Sequence, residues 1–301
     1  MPAGIRVGAP AKLNLYLHVT GRRAGGYHEL DSLVTFTALA DTLEIAPAET
    51  LDLTVTGPFA DALDGGGNLA GRAAMALAER LSRPAGVRIA LDKRIPVAAG
   101  LGGGSADAAA VLRGLARLWG LGAEHAGTLH ETALGLGADV PVCFESRAAS
   151  MAGIGEALSV PPPLPPCAVL LVNPGVPVPT GPVFAARRGP FSAASPIDEA
   201  PQDASALAAL LRTRRNDLER PALEQVSEIG LVLTRLASAP GCLLARMSGS
   251  GGTCFGLFED EVAAAGAAGA IARDHPAWWV QPTRLVHDGS AAEVVAALAE
   301  E

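Results

Sequence analysis

Residues 96–107 read Pro-Val-Ala-Ala-Gly-Leu-Gly-Gly-Gly-Ser-Ala-Asp, which places Gly100, Gly102, Gly103 and Gly104 within five positions and Ser105 directly after them. Phosphate oxygens need several N–H donors converging at close range, and only a backbone free of side chains lets them approach. Val111, Leu112, Leu115, Leu118 and Trp119 fall at helical spacing just behind this loop, with Ser105 as the expected N-cap and Asp107 in the first turn. The unpaired N–H groups and positive dipole end of that helix would add to the anion site. The loop is not a Walker A loop, because no Lys-Ser/Thr follows its last glycine, and not a dinucleotide fingerprint, because no strand ending in an acid follows promptly. The chemistry it suits is the binding of a nucleotide triphosphate.

Three further clusters could serve the same reaction. Ser248-Gly-Ser-Gly-Gly252 lies between two predicted strands and is placed to close over the phosphates. Lys12-Leu-Asn14 opens the first predicted strand, with Gly26-Tyr-His28 beyond it. Asp139 stands between Gly137 and Pro141; spacing alone leaves it open as a helix or turn cap or as a catalytic acid. Lysine itself carries a signal. The chain has 23 lysines and arginines together, and only Lys12 and Lys93 are lysine. Where arginine serves for ordinary surface charge, a retained lysine marks either a place that needs a compact ammonium or a chance survivor, the first reading weighing more for Lys12 than for Lys93. Asparagine is rare as well, confined to Asn14, Asn68, Asn173 and Asn216.

The elements that would position these groups alternate between strand and helix. Residues 13–19 alternate as a half-buried strand, with Leu13, Leu15, Leu17 and Val19 on one face. Short strands are expected at 32–36, 42–45, 51–55 and 87–91, and a helix capped by Asn68 runs to about 81. A helix from about 124 ends at Gly135 and Gly137, after which Asp139-Val-Pro141 returns to extended chain. The prolines of 161–166 mark the expected junction between two domains, 1–160 and 161–301. Beyond them come a strand at 168–172, a Pro-rich loop to 182 and a polar, mobile stretch to about 205. Helices are expected at 221–236, 259–273 and 291–300, and strands at 243–247, 253–258 and 279–286. Strands and helices mix throughout, an α+β pattern in two layers without internal repeat.

Composition bounds the partners. Apolar residues make up 49% and charged residues 18%, a globular balance. A net charge of -8 argues against nucleic-acid binding, which needs a basic face. Cys143, Cys167, Cys242 and Cys254 are scattered singly, without metal-ligand or disulfide spacing. The N-terminus lacks an apolar signal segment, and the apolar runs are too short to span a bilayer. The expectation is a soluble cytoplasmic protein with a small-molecule partner, no nucleic acid and no membrane; oligomeric state stays open.

The segments Ala9-Pro-Ala-Lys-Leu-Asn-Leu15, 96–106 and Met247-Ser-Gly-Ser-Gly-Gly252 together resemble the three motifs of the GHMP small-molecule kinases. Gly25-Gly-Tyr-His-Glu-Leu30, Leu136-Gly-Ala-Asp-Val-Pro141, Gly153-Ile-Gly-Glu156 and Asn173-Pro-Gly-Val176 resemble, within that family, the subgroup acting on diphosphocytidyl-methylerythritol in non-mevalonate isoprenoid synthesis. The resemblance runs in order from about residue 6 to 258. It implies an N-terminal domain like the second domain of ribosomal protein S5, a ferredoxin-like C-terminal domain, and a site between them. The implied reaction moves the γ-phosphoryl of ATP to the 2-hydroxyl of that substrate. Asp139 then matches the family's base and Lys12 its partner. Pro96, Gly100, Leu101, Gly102, Gly103, Gly104, Ser105 and Ala106 match the triphosphate loop, while Asn68 and Lys93 match positions near the nucleotide. Asn14, Tyr27, His28 and Phe184, with Ser248 and Gly249, match the substrate side, Tyr27 and Phe184 sandwiching the cytosine and His28 meeting its edge. Mg2+ is expected with ATP, with no metal ligand assigned. Two departures mark the cytosine end: Val34 stands where relatives often carry an aromatic, and Gly181 adds a residue before Phe184. The competing readings are a GHMP kinase for another alcohol, such as mevalonate or homoserine, and a nucleotide-binding regulator without catalysis. Retention of Lys12 and Asp139 argues against the latter.

Overall fold

The computed structural model describes residues 4–63 and 68–296. Two long strands, β1 (Ile5–Arg22) and β2 (His28–Pro47), pair antiparallel almost end to end. β2 replaces the two separate strands expected from the sequence. An irregularity in the pairing absorbs the break: Pro10 faces Ala40, and two residues later Lys12 faces Phe36. β1 is buried on both faces, so Asn14, Tyr16 and His18 lie inside as well as the leucines opposite them. The half-buried reading fails here because helices and loops cover the polar face too.

β3 (Asp52–Thr56) runs parallel to β4 (Val87–Asp92), which pairs with β2. Between them α1 (Leu69–Arg80) starts where Asn68 accepts from the Ala70 amide at 2.9 Å, the cap its position promised. α2 (Gly103–Leu118) crosses this sheet and buries Val111, Leu112 and Leu115 with Ile45, Leu77 and Ile89. α3 (Ala126–Leu136) leads to α4 (Val140–Glu145), a short helix where extended chain was expected. Pro141 lies in its first turn, where a missing N–H costs nothing. β5 (Ala149–Gly153) joins β2, and β6 (Ala157–Ser159) joins β5.

After residues 161–166 the chain enters β7 (Ala168–Asn173), then α5 (Thr180–Ala186) where a Pro-rich loop was expected. The stretch up to α6 (Ala204–Arg212) has no regular structure, yet it is tied down rather than loose. The Ser192 amide donates to the Val19 carbonyl at 3.0 Å and the Ser195 amide to Asp31 at 2.6 Å. α7 (Glu219–Gln225) and α8 (Glu228–Ala237) are separated at Val226, whose φ of -136° and ψ of 94° break the single helix expected. β8 (Leu244–Met247), β9 (Cys254–Phe258), α9 (Glu261–Asp274) and β10 (Trp279–Val286) complete the second half. In order β10-β7-β9-β8, all antiparallel, with α8 and α9 as crossovers, these strands form a ferredoxin-like sheet. β10 also pairs with β2, so one sheet runs through both halves of the chain. The expected C-terminal helix is instead a single 3-10 turn at Ser290–Ala292 followed by β11 (Val294–Ala296) on the free edge of β1; residues 297–300 of that expectation lie outside the described residues.

Leu13 and Leu15 of β1 share a core with Val169, Leu171, Phe255 and Leu257, so the strand that carries Lys12 is anchored on the second half. Among the described residues no helix is long and apolar enough to cross a membrane. The architecture is α+β, as the alternation of elements suggested.

Candidate active site

A cleft of about 490 Å³ opens between the loop at 98–105, the start of β1, Asp139 and the hairpin loop between β8 and β9. Gly102 caps α2 in the left-handed region (φ 62°), so the helix begins at Gly103 and Ser105 lies within its first turn instead of capping it. The amides of Gly103, Gly104 and Ser105 are therefore the helix's unpaired donors, and all three residues line the cleft. Loop shape is enforced from behind. The Lys12 amide donates to the Leu101 carbonyl at 2.9 Å and the Thr253 amide to the Ala99 carbonyl at 3.0 Å. Ala98 is also held at a φ of 52°, which a side chain adopts only under constraint.

The second glycine loop packs on the first. Ser248 Oγ accepts from the Asn14 amide at 3.2 Å and donates to the Gly100 carbonyl at 2.9 Å. At Gly100 (φ 73°) a Cβ would meet the Ser248 carbonyl oxygen at 2.4 Å, so only glycine fits there. Gly249 and Ser250 face the cleft, and the hydroxyls of Ser250 and Thr180 lie 2.9 Å apart across its rim.

Lys12 is the cleft's cation. It is 3% exposed, and its Nζ lies 3.0 Å from Asp139 Oδ2 and donates to Asn14 Oδ1 at 3.1 Å. Asn14 is oriented in turn by donating to Ser32 Oγ at 2.8 Å. Asp139 occupies the N-cap position of α4, but its side chain caps nothing. The capping alternative therefore has no hydrogen bond behind it, and the carboxylate faces the cleft beside the ammonium. This is a poised acid–cation pair at the mouth of a phosphate-type loop.

Other predicted residues fall elsewhere. Lys93 does not line the cleft: its Nζ is buried beneath the loop, 2.5 Å from Asp41 and 2.6 Å from Asp107. Asn68 spends its carbonyl oxygen on capping α1, and Pro96, Leu101, Ala106 and Ser248 shape the loop without lining the cleft. At the far end, His28 and not Tyr27 lies against Phe184, with ring centroids 5.2 Å apart and planes at 26°. Tyr27 follows Gly26 (φ 87°) at the turn and is 66% exposed, while His28 opens β2. Burial, with Arg22 and Arg187 nearby, holds the His28 imidazole below its ordinary range, favouring the neutral ring. Val34 is wholly buried in the core and does not reach the cleft.

Reasoning on motifs missed Asn216 and Thr180. Asn216 Nδ2 donates to the carbonyls of Met247 and Gly249 at 2.9 and 2.8 Å, setting the second glycine loop from below. Its rarity was the available signal: each of the chain's asparagines is used, Asn173 holding Thr253 and the Gly175 amide.

The match to known proteins follows this geometry. Residues 68–147 match the GHMP kinases N terminal domain, and residues 196–277 match the GHMP kinases C terminal domain. The 4-diphosphocytidyl-2-C-methyl-D-erythritol kinase of Paramagnetospirillum magneticum is 54% identical over 278 residues, 92% of this chain and 97% of that protein. The chain belongs to the GHMP kinase family. Within it, the sequence falls with the 4-diphosphocytidyl-2-C-methyl-D-erythritol kinases. The enzyme of that description from Rhodospirillum rubrum is 54% identical over 97% of this chain and 95% of its own length. A crystal structure of 4-(cytidine 5'-diphospho)-2C-methyl-D-erythritol kinase superposes with a TM-score of 0.76 at 39% identity, covering 93% of this chain and 98% of that one. Homoserine kinase from Cytophaga hutchinsonii superposes at 0.73 with 17% identity, which speaks for the shared fold alone. GHMP kinases use ATP, so the glycine loop acquires its ligand class from the family as well as from its shape.

Proposed function

We propose that the protein transfers the γ-phosphoryl group of ATP to the 2-hydroxyl of 4-diphosphocytidyl-2-C-methyl-D-erythritol, in non-mevalonate isoprenoid precursor synthesis. The observation that carries this is the Lys12–Asp139 pair, 3.0 Å apart, beside a loop of free helix amides. Phosphoryl transfer asks for positioning and charge stabilisation more than covalent chemistry. The substrate hydroxyl oxygen forms the new bond to the γ-phosphorus as the bond to the β-bridging oxygen breaks, and Asp139 takes the hydroxyl proton. Lys12, 3.0 Å away, holds the Asp139 carboxylate in place, and its ammonium offsets charge on the transferring oxygens. Asn14, by accepting from Lys12, fixes where that charge sits.

Mg2+ is expected to enter with ATP. Among the described residues no three His, Cys, Asp or Glu side chains gather into a metal site, and Asp139, the one acid lining the cleft, is engaged with Lys12. The ion would take its ligands chiefly from triphosphate oxygens and water. At the other end, Phe184 and His28 provide a stackable aromatic wall for a pyrimidine, with Tyr27 exposed at the turn just before His28.

The test is phosphoryl transfer from radiolabelled ATP to the cytidine-linked methylerythritol, with mevalonate and homoserine as competing acceptors. Transfer to the first alone is expected; transfer to either of the others at a comparable rate would reassign the substrate. Asp139→Asn should lower kcat by about 10²–10⁴-fold, the usual worth of general-base catalysis, with both ligands still bound. Lys12→Arg should fail nearly as badly, because a planar guanidinium does not fit a buried point-charge position. A folded Asp139→Asn protein within a few-fold of the parent rate would remove Asp139 from the mechanism.

A further inference from the structure

Under the nucleotide loop lies a buried cluster with unequal charges. Lys93 is 1% exposed, Asp41 0% and Asp107 1%. One ammonium against two carboxylates would leave a net charge of -1 within the protein, directly beneath a loop that must accept a polyanion. The loop is close: a Cβ on Gly103 would sit 3.1 Å from Lys93 Nζ.

The two carboxyls are not equivalent. Asp41 takes three donors, Lys93 Nζ on Oδ2 and the amides of Arg94 and Ile95 on Oδ1, at 2.5, 2.5 and 2.8 Å. Asp107 takes one, Lys93 Nζ on Oδ2 at 2.6 Å, while its Oδ1 is buried without a partner. A carboxylate short of donors in a low-dielectric site is the one that neutralises. Asp107 also belongs to α2, the helix whose first amides face the cleft.

We propose that Asp107 is a positioning residue of the nucleotide loop that carries a proton when the phosphates are bound, so that the cluster beneath the anion is neutral. When Asp107 starts ionised, binding draws one proton from solvent onto its carboxyl, and no other bond changes. Burial pushes the Asp107 carboxyl up to about 7, against the pull of Lys93 and with the help of Asp41. From β2 it faces Asp41, from the segment after β4 Lys93, and from α4 the Cys143 thiol, itself pushed up to about 12 by burial. Lys12 and Asp139 act on Cys143 from the cleft side, and Arg113 of α2 acts on it from one and a half turns further along the helix.

The inference rests on the loop being the ATP site, and calorimetry separates the two claims. The parent is titrated with the β,γ-imido analogue of ATP and Mg2+ from about pH 6 to about pH 8.5, in buffers of differing ionisation enthalpy. Affinity should fall on the order of tenfold across this range, with net proton uptake on binding at the alkaline end. Asp107→Asn, neutral at every pH, should match the parent on the acidic side and, relative to it, show neither this fall nor this uptake. The ligand's own titration is common to both proteins and cancels in the comparison. Identical pH profiles, or an Asp107→Asn protein weakened equally at every pH, would overturn the assignment. Should the variant not fold, absence of proton uptake by the parent at the alkaline end overturns it alone. A parent that binds no nucleotide at any pH would overturn the loop assignment and this inference together.

Discussion

At the end of the cleft proposed for the nucleotide, Gly100 is locked between the carbonyls of Ser248 and Gly251, Lys12 is buried between polar partners, and Lys93 is buried likewise beneath the loop. At the end proposed for the cytidine substrate, Tyr27 is 66% exposed, and α5 presents Phe184 from a helix of only 7 residues whose N-cap makes no side-chain bond. One end is preorganised backbone; the other is side chains on short, lightly anchored elements. The contrast follows from what each must hold. Phosphate oxygens are common to every nucleotide and are met by fixed donors, whereas a base must enter, be stacked and leave. A site built this way concentrates its tolerance to mutation at one end, and the largest effects belong at the other.

Gly100→Ala should have the largest effect. The residue would need a φ of 73° and would drive its methyl to 2.4 Å from a backbone oxygen that cannot swing aside. Loss of measurable ATP binding with a lowered melting temperature is expected; an alanine variant with parental nucleotide affinity would show the loop to be far softer than its hydrogen bonds imply. Gly103 differs in mechanism. Its Cβ would point toward Lys93 and Ile95 and away from the cleft, so Gly103→Val acts by forcing the buried cluster apart.

Next comes the substrate end. Phe184→Ala removes the wall against which His28 lies and should raise KM for the cytidine substrate roughly ten- to a hundredfold, matching ~1–3 kcal/mol of base stacking, with KM for ATP unchanged. Tyr27→Ala should do less, because an exposed ring must first be ordered before it contributes. Equal losses from the two variants would mean that Tyr27 is already part of the wall, and the contrast between preformed and adaptable halves of the pocket would fall.

The legibility of the site followed the same divide. The glycine loop is legible from residue type, because phosphate binding restricts backbone so tightly that composition betrays it, and Lys12 from the scarcity of lysine; spacing alone leaves Asp139 open between cap and acid until the family motif is set beside it. The scarcity of lysine drew attention to Lys93, yet its partners Asp41 and Asp107 lie 52 and 14 residues away, and no local pattern announces that pairing. Misreadings of the fold have specific causes. Residues 294–296 alternate too briefly to read as a strand, and only the open edge of β1 makes them one. Val140, expected to be extended because it precedes Pro141, instead opens α4, whose first turn tolerates the proline. Val34 looked like a gap in the cytosine pocket, but the structure packs it into the core.

The smallest expected effect tests whether looseness at the substrate end is put to use. Gly181 is the second residue of α5, the position that the family resemblance marks as an expected extra residue before Phe184. Its φ is not among the positive values, and a Cβ there would meet nothing within 4 Å. Alanine therefore fits without strain and removes conformational freedom from the unfolded chain, typically worth about 0.4–1 kcal/mol. Gly181→Ala should raise the melting temperature slightly and leave both KM values at parental level, because Thr180 and Phe184 keep their places on the helix. If the contrast is deeper, and α5 must reshape for the base to enter, the same change will raise stability while slowing substrate association, seen as a higher KM for the cytidine substrate with KM for ATP untouched. Measuring both constants beside the melting curve separates a glycine that is merely tolerated from one whose freedom the substrate end requires.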